Sequence, residues 1–230
     1  MIYRNLNNNY KNSQISHKIA LNIAPKDIQS NLDTVIFDIG GVLVSGRGRR
    51  MNINEHYGLP WNDTEDKVWQ EYKTGKCTEQ EYWERLLKVT YMQGREEEVA
   101  LYARQVHSSL DEGRANFLLP KLKPNYNLAI LSNHSIEWTD GIIKRLEFDK
   151  YCSPIIISAK VGLAKPNRAI YELILKELNR AENPEKCVFI DDDIRNIKAA
   201  EEVGIKGVHL AKEDTSEILE EKLRKLGVEV

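Results

Sequence analysis

The chain has 230 residues, 41% of them hydrophobic, with 33 Lys+Arg against 35 Asp+Glu. That balance excludes the collagen-like, intrinsically disordered and disulfide-scaffold classes, and the length suffices for one large domain or a core carrying a smaller one. A formal net charge of −2 lacks the basic excess that a sequence-independent nucleic-acid or anionic-membrane surface needs. No run approaches the roughly 18 consecutive apolar residues of a membrane span. Cys77, Cys152 and Cys187 are too widely spaced for a metal-ligand cluster or a disulfide framework. The first 30 residues hold no apolar block of signal-peptide type. These features predict a cytoplasmic globular protein with no nucleic-acid or membrane partner, and they leave its oligomeric state open.

Residues 1–31 are dominated by asparagine, including Asn5, Asn7, Asn8, Asn9 and Asn12, and read as a polar, largely irregular N-terminal extension with little surface to bury. From Thr34 the pattern changes. Thr34-Val35-Ile36-Phe37 is a β-branched and aromatic run, followed by Asp38-Ile39-Gly40-Gly41. Residues 128–131, 155–158, 187–190 and 207–210 repeat the continuous apolar character expected of strands buried on both faces. Between the first two runs, 45–118 carries no strand-like segment. Helices are expected there over Asp63–Tyr72, after a capping box at Thr78-x-x-Glu81, and over Glu96–Leu110. Trp61, Trp69, Tyr82 and Trp83 read as the core of this small bundle, and Gly46 and Gly48 as hinge positions. Later helices follow Asn167, an expected N-cap, and span Arg195–Val203 before Gly204. Strands alternating with helices predict an α/β protein with a doubly wound, Rossmann-like parallel sheet. The expected boundaries are an extension at 1–31, a core at 32–44 and 119–230, and an all-helical cap at 45–118.

In such a sheet, ligands bind beyond the carboxyl ends of the strands. The polar residues that end the apolar runs are Asp38, then Ser132-Asn133, then Lys165 in the loop beyond the third run, then Asp191-Asp192-Asp193. Carboxylates, a hydroxyl and a lysine thus converge on one edge. An isolated Asp after a strand is commonly a turn or helix cap, but four such positions in register are hard to explain as caps.

Asp38-Ile39-Gly40-Gly41-Val42-Leu43, Leu131-Ser132-Asn133, Gly162-Leu163-Ala164-Lys165-Pro166 and Phe189-Ile190-Asp191-Asp192-Asp193, with Asn196-Ile197-x-Ala199-Ala200, resemble the four motifs of the haloacid dehalogenase-like hydrolase superfamily. They occur in the family's order over about 34–211. The position of the helical insertion resembles the subgroup whose cap follows the first motif. Tyr72-Lys73-Thr74-Gly75-Lys76, leading into Thr78-x-x-Glu81-Tyr82-Trp83, is similar to caps of sugar-phosphate phosphatases and of the phosphatase domain of soluble epoxide hydrolases. The resemblance implies a Mg²⁺-dependent phosphatase acting on a small phosphorylated metabolite. Asp38 would be the nucleophile. Asp38, the Gly40 carbonyl and Asp192 would hold the metal, with Asp191 nearby. Ser132 and the Asn133 main-chain N–H would hold phosphoryl oxygens, and Lys165 would pair with Asp38 and the phosphate. Asp193 is expected to face solvent.

One departure stands out. The family's phosphatases usually carry a second aspartate, a general acid and base, where this chain has Gly40. His134 is the nearest candidate in sequence to replace it. Two alternatives remain: a metal-free 2-haloacid dehalogenase, which does not need that aspartate but gives the Asp triplet no purpose, and a catalytically silent binder of phosphorylated ligands. Arg47, Arg49 and Arg50 form a short basic cluster that either touches a second charged group of the substrate or is a solvated loop.

Overall fold

A computed structural model describes residues 31–44, 49–59, 63–88, 90–110 and 112–230. The Asn-rich extension as far as residue 30, Gly46, Arg47, Gly48 and Trp61 lie outside the described residues.

Strands β1 (Thr34–Phe37), β2 (Asn127–Ser132), β3 (Cys152–Ile157), β4 (Cys187–Asp191) and β5 (Lys206–His209) form one sheet in the order β3-β2-β1-β4-β5. Every pairing is parallel. Phe37 of the middle strand lies beside Ile130 on one side and Ile190 on the other. The residues just beyond these three therefore leave the sheet along the same edge.

The continuous apolar runs follow from burial on both faces. Val35 and Phe37 share one buried layer with Leu128, Ile130, Val188 and Ile190, whereas Ile36 turns to the other with Ala129, Leu131 and Phe189. Alternate side chains of a strand point to opposite faces, so each face needs its own cover. The first layer is closed by α5 (Ala115–Leu122), α6 (Ile136–Arg145) and α11 (Ser216–Lys225), which contribute Leu118, Leu119, Ile142, Leu219 and Leu223. The second is closed by α9 (Arg168–Glu177) and α10 (Ile194–Glu201), through Ile170, Tyr171, Ile174 and Ile197. The sheet is doubly wound, as its strand–helix alternation predicts.

Helices α1 (Arg49–Tyr57), α2 (Asp63–Tyr72), α3 (Glu79–Leu87) and α4 (Glu96–Ser108) fill the insertion between β1 and α5. They share a separate apolar cluster that includes Ile53, Tyr72, Tyr82, Trp83 and Val99, with Trp69 packed against it. The capping box is present: the Thr78 hydroxyl accepts from Glu81 N–H at 3.2 Å, and the Glu81 carboxylate accepts from Thr78 N–H at 2.8 Å. Asn167 caps α9 by accepting from Ala169 N–H at 2.9 Å.

Beyond shifts of one or two residues at element ends, the elements differ from expectation in three places. Helix α5 packs with the sheet rather than with the insertion, because its Leu118, Leu119 and Leu122 join the first layer. Strand β3 starts earlier, at Cys152, directly after the short helix α7 (Phe148–Tyr151), and Ser158 opens the short helix α8 (Ser158–Val161) instead of ending the strand. Helix α1 forms from a mostly polar run; among its described side chains Ile53 is buried and Tyr57 packs partly buried, and no apolar stripe announces the helix.

Candidate active site

Asp38 follows β1 directly. Its own N–H donates to the Ile190 carbonyl at 2.9 Å, which continues the β1–β4 ladder one step. One carboxylate oxygen, Oδ1, accepts from Ile39 N–H at 2.8 Å and lies 3.1 Å from Lys165 Nζ. Burial raises the Asp38 pKa to about 6. Lys165 opposes that rise, Asp191 and Asp192 add to it, and a hydrogen bond from the Ser132 hydroxyl opposes it.

Lys165 is 2% exposed. Its ammonium lies 2.6 Å from Asp191 Oδ2 as well as against Asp38, and 5.1 Å from the centre of the Phe189 ring. Burial alone would favour the neutral amine, but the two carboxylates outweigh it and hold the pKa above the ordinary lysine value. Asn133 fixes the backbone from which this side chain extends. Its Oδ1 accepts from Lys165 N–H at 2.8 Å, and its Nδ2 donates to the Lys165 carbonyl at 2.7 Å. The Asn133 side chain thus ties the loop after β2 to the Lys165 loop.

Asp191, fully buried at the end of β4, has several partners. Besides Lys165, it accepts from Asp193 N–H at 2.7 Å and from Asn196 Nδ2 at 3.0 Å. Nothing in the motif alone announces this role for Asn196; its place in the first turn of α10, five residues beyond Asp191, is the available signal. Asp38, Asp191 and Asp192 each offer a carboxylate oxygen, and these oxygens lie within 4.8 Å of one another. Lys165 lies between two of these carboxylates, Asp38 and Asp191, and hard oxygen donors gathered this closely fit a divalent cation.

Two glycines shape the turn. Gly41 has φ +74°, and a Cβ added there would lie 2.5 Å from Asp192 Oδ2, so the backbone approaches this carboxylate as only glycine permits. At Gly40 an added Cβ meets nothing within 4 Å. A further residue joins this turn from afar: Arg114, just before α5, donates to the Gly41 and Val42 carbonyls at 3.4 Å and to the Asp214 carbonyl at 2.6 Å. Nothing in the spacing of the sequence points to that contact.

His134 sits elsewhere in the network. Its Nδ1 accepts from Ser135 N–H at 3.1 Å, which leaves the ring proton on Nε2. The ring meets His107 at 5.1 Å, Trp138 at 5.8 Å and Trp69 at 6.1 Å, each edge-on. Burial among these groups, with His107 beside it, holds the imidazole well below its ordinary pKa. The His134 N–H donates to Ser158 Oγ at 2.9 Å, and that hydroxyl donates to the Lys73 carbonyl of the insertion at 2.5 Å. Asp193 caps α10, accepting from Arg195 N–H at 2.9 Å, and pairs with the Arg195 guanidinium. The structure therefore gathers Asp38, Ser132, Lys165, Asp191 and Asp192, ties Asn133 to them, leaves Gly40 open beside them, and places His134 in an aromatic cluster.

Residues 32–204 match the family model described as haloacid dehalogenase-like hydrolase. The chain is 28% identical over 182 residues to the sesquiterpene phosphatase astK of Aspergillus oryzae, covering 76% of this chain and 88% of that protein. It is 26% identical over 206 residues to flavin mononucleotide hydrolase 1 of Arabidopsis thaliana, covering 86% of this chain and 79% of that protein. A HAD family enzyme from Bacteroides thetaiotaomicron, solved in complex with magnesium and inorganic phosphate, shares the fold. Its TM-score is 0.68 at 21% identity, over 82% of this chain and 98% of its own. Fold and family model agree: the chain belongs to the haloacid dehalogenase-like hydrolases.

Proposed function

We propose that the chain is a Mg²⁺-dependent phosphatase that hydrolyses a small phosphorylated metabolite through an aspartyl-phosphate on Asp38. The observation that carries this reading is the cluster of Asp38, Asp191 and Asp192, with Lys165 between the first two, at the carboxyl edge of the sheet. A relative named a sesquiterpene phosphatase and another named a flavin mononucleotide hydrolase support the substrate class. In this reading the α1–α4 insertion acts as a cap over the site. The reaction runs in the cytoplasm, a reading supported by the three free cysteines. No helix among the described residues is long and apolar enough to cross a membrane.

Asp38, the Gly40 carbonyl and Asp192 would hold the Mg²⁺, with Asp191 occupied in holding Lys165. The bound ion supplies positive charge that offsets the phosphoryl oxygens beside the carboxylates. An Asp38 oxygen attacks phosphorus, and the bond from phosphorus to the substrate's bridging oxygen breaks with its electron pair on that oxygen. Ser132 and the Asn133 N–H hold the equatorial oxygens while Lys165 neutralises their charge. Water then attacks the aspartyl-phosphate, which releases inorganic phosphate and restores the Asp38 carboxylate. The leaving oxygen takes its proton from solvent or from the substrate, because Gly40 has no side chain to give one and His134 is held neutral.

The test is phosphate release from a panel of phosphomonoesters with Mg²⁺ and with a chelator, alongside chloride release from 2-chloropropionate. Phosphate release that the chelator stops supports the reading. Chloride release that persists in chelator overturns it in favour of a dehalogenase. Gly40 favours one second reading, a silent binder of phosphorylated ligands. Wild-type protein that turns over nothing on the panel, with a Gly40→Asp variant that does, would establish that reading instead.

A further inference from the structure

A buried polar node joins the insertion to α6 and the phosphate-holding loop, alongside the Ser158–Lys73 link and a hydrogen bond that the Tyr72 hydroxyl donates to Glu137 Oε2 at 3.0 Å. Trp138 lies in α6, six residues after Ser132, yet its ring belongs to the apolar cluster of the insertion. It is the one buried member of that cluster, among the described residues, that the insertion does not supply. The ring stacks on His107 of α4 at 4.4 Å and on Trp69 of α2 at 5.6 Å, and meets the edge of His134 at 5.8 Å. Its Nε1–H donates to Glu79 Oε1 at 2.8 Å. Glu79, the first residue of α3, is 4% exposed. Its other oxygen accepts from Arg104 Nε of α4 at 2.7 Å and pairs with the same guanidinium's Nη2.

A nearly buried carboxylate is costly unless each oxygen is matched. An apolar residue at 79 would serve a simple helix contact as well, and Trp138 without an N–H partner would pack as phenylalanine does. The matched pair is directional: it fixes α3 and α4 in angle and register against α6, whose N-terminus begins where the Ser132–Asn133 loop ends. We infer that Glu79 and Trp138 are positioning residues, a polar strut that registers the insertion on the phosphate-holding loop. The consequence for catalysis rests on the phosphatase reading; the mechanical claim does not.

The test compares wild-type protein with Trp138→Phe, which keeps an aromatic ring and removes the donor, and with Glu79→Gln, which keeps the shape and an acceptor. Hydrogen exchange by mass spectrometry is read separately over 79–87 and over 133–138. The strut predicts exchange faster by on the order of tenfold in both segments for Trp138→Phe, and a smaller effect for Glu79→Gln. Faster exchange confined to the insertion, or unchanged exchange, would overturn it. With p-nitrophenyl phosphate and Mg²⁺, kcat/KM should fall several-fold in each variant below its unfolding temperature, and the double variant should fall no further than the worse single one. Multiplicative losses would show that the two residues act separately. A wild type that hydrolyses no phosphomonoester would count against the phosphatase reading alone, since the exchange comparison still decides the strut.

Discussion

Lys165 is the residue on which the site's charge balance turns. It stands between Asp38 and Asp191 with almost no contact with water. Lys165→Met should lower stability by about 3–5 kcal/mol, because breaking a buried pair leaves a carboxylate unmatched. Urea denaturation checks this, and a loss below 1 kcal/mol would contradict the burial argument. The glycines make opposite predictions. Gly40→Asp should fold normally, since its Cβ finds open space, and should raise turnover by about 10²–10⁴-fold if proton transfer limits the rate. Gly41→Ala should disturb the site, because its Cβ would collide with Asp192 at a positive φ. Equal activity in wild type and Gly41→Ala would show that the close approach to Asp192 is dispensable.

The elements were legible wherever burial wrote a local pattern. Strands β1, β2 and β4 are continuous apolar runs because both faces are covered, and the polar residues ending them marked the site. Helix α2 follows its expected bounds, and the Thr78–Glu81 box starts α3 as read. Thr78→Ala should cost about 1 kcal/mol, seen as a lower Tm. Helix α1 escaped because its residues are mostly polar, which leaves no apolar stripe in the sequence. The Asn133–Lys165 clasp, the Arg114 contacts and the Glu79–Trp138 bond escaped for another reason. Each joins residues 30 or more positions apart through directional hydrogen bonds, which leave no periodicity behind. The His134 environment was missed likewise: its neighbours in space, Trp69 and His107, belong to the insertion.

For the whole molecule, the insertion, the loop after β2 and α6 converge on a cluster of rings that contains a neutral histidine. The folded His134 pKa lies below the ordinary 6.5, so the unfolded chain takes up the proton first as pH falls. Stability is therefore intact above about pH 6.5 and declines below it, with a slope of up to about 1.4 kcal/mol per pH unit from this group. His134→Gln should flatten that part of the decline in urea titrations between pH 5 and 7.5; an unchanged slope would assign it to other groups. The role proposed for the sheet edge is metal-assisted phosphoryl transfer to Asp38. The most direct measurement is phosphate release by wild type and Asp38→Asn, each with Mg²⁺ and with a chelator. Release is expected from the wild type with Mg²⁺ alone, and background release in the other three conditions. Full activity in Asp38→Asn would contradict that role.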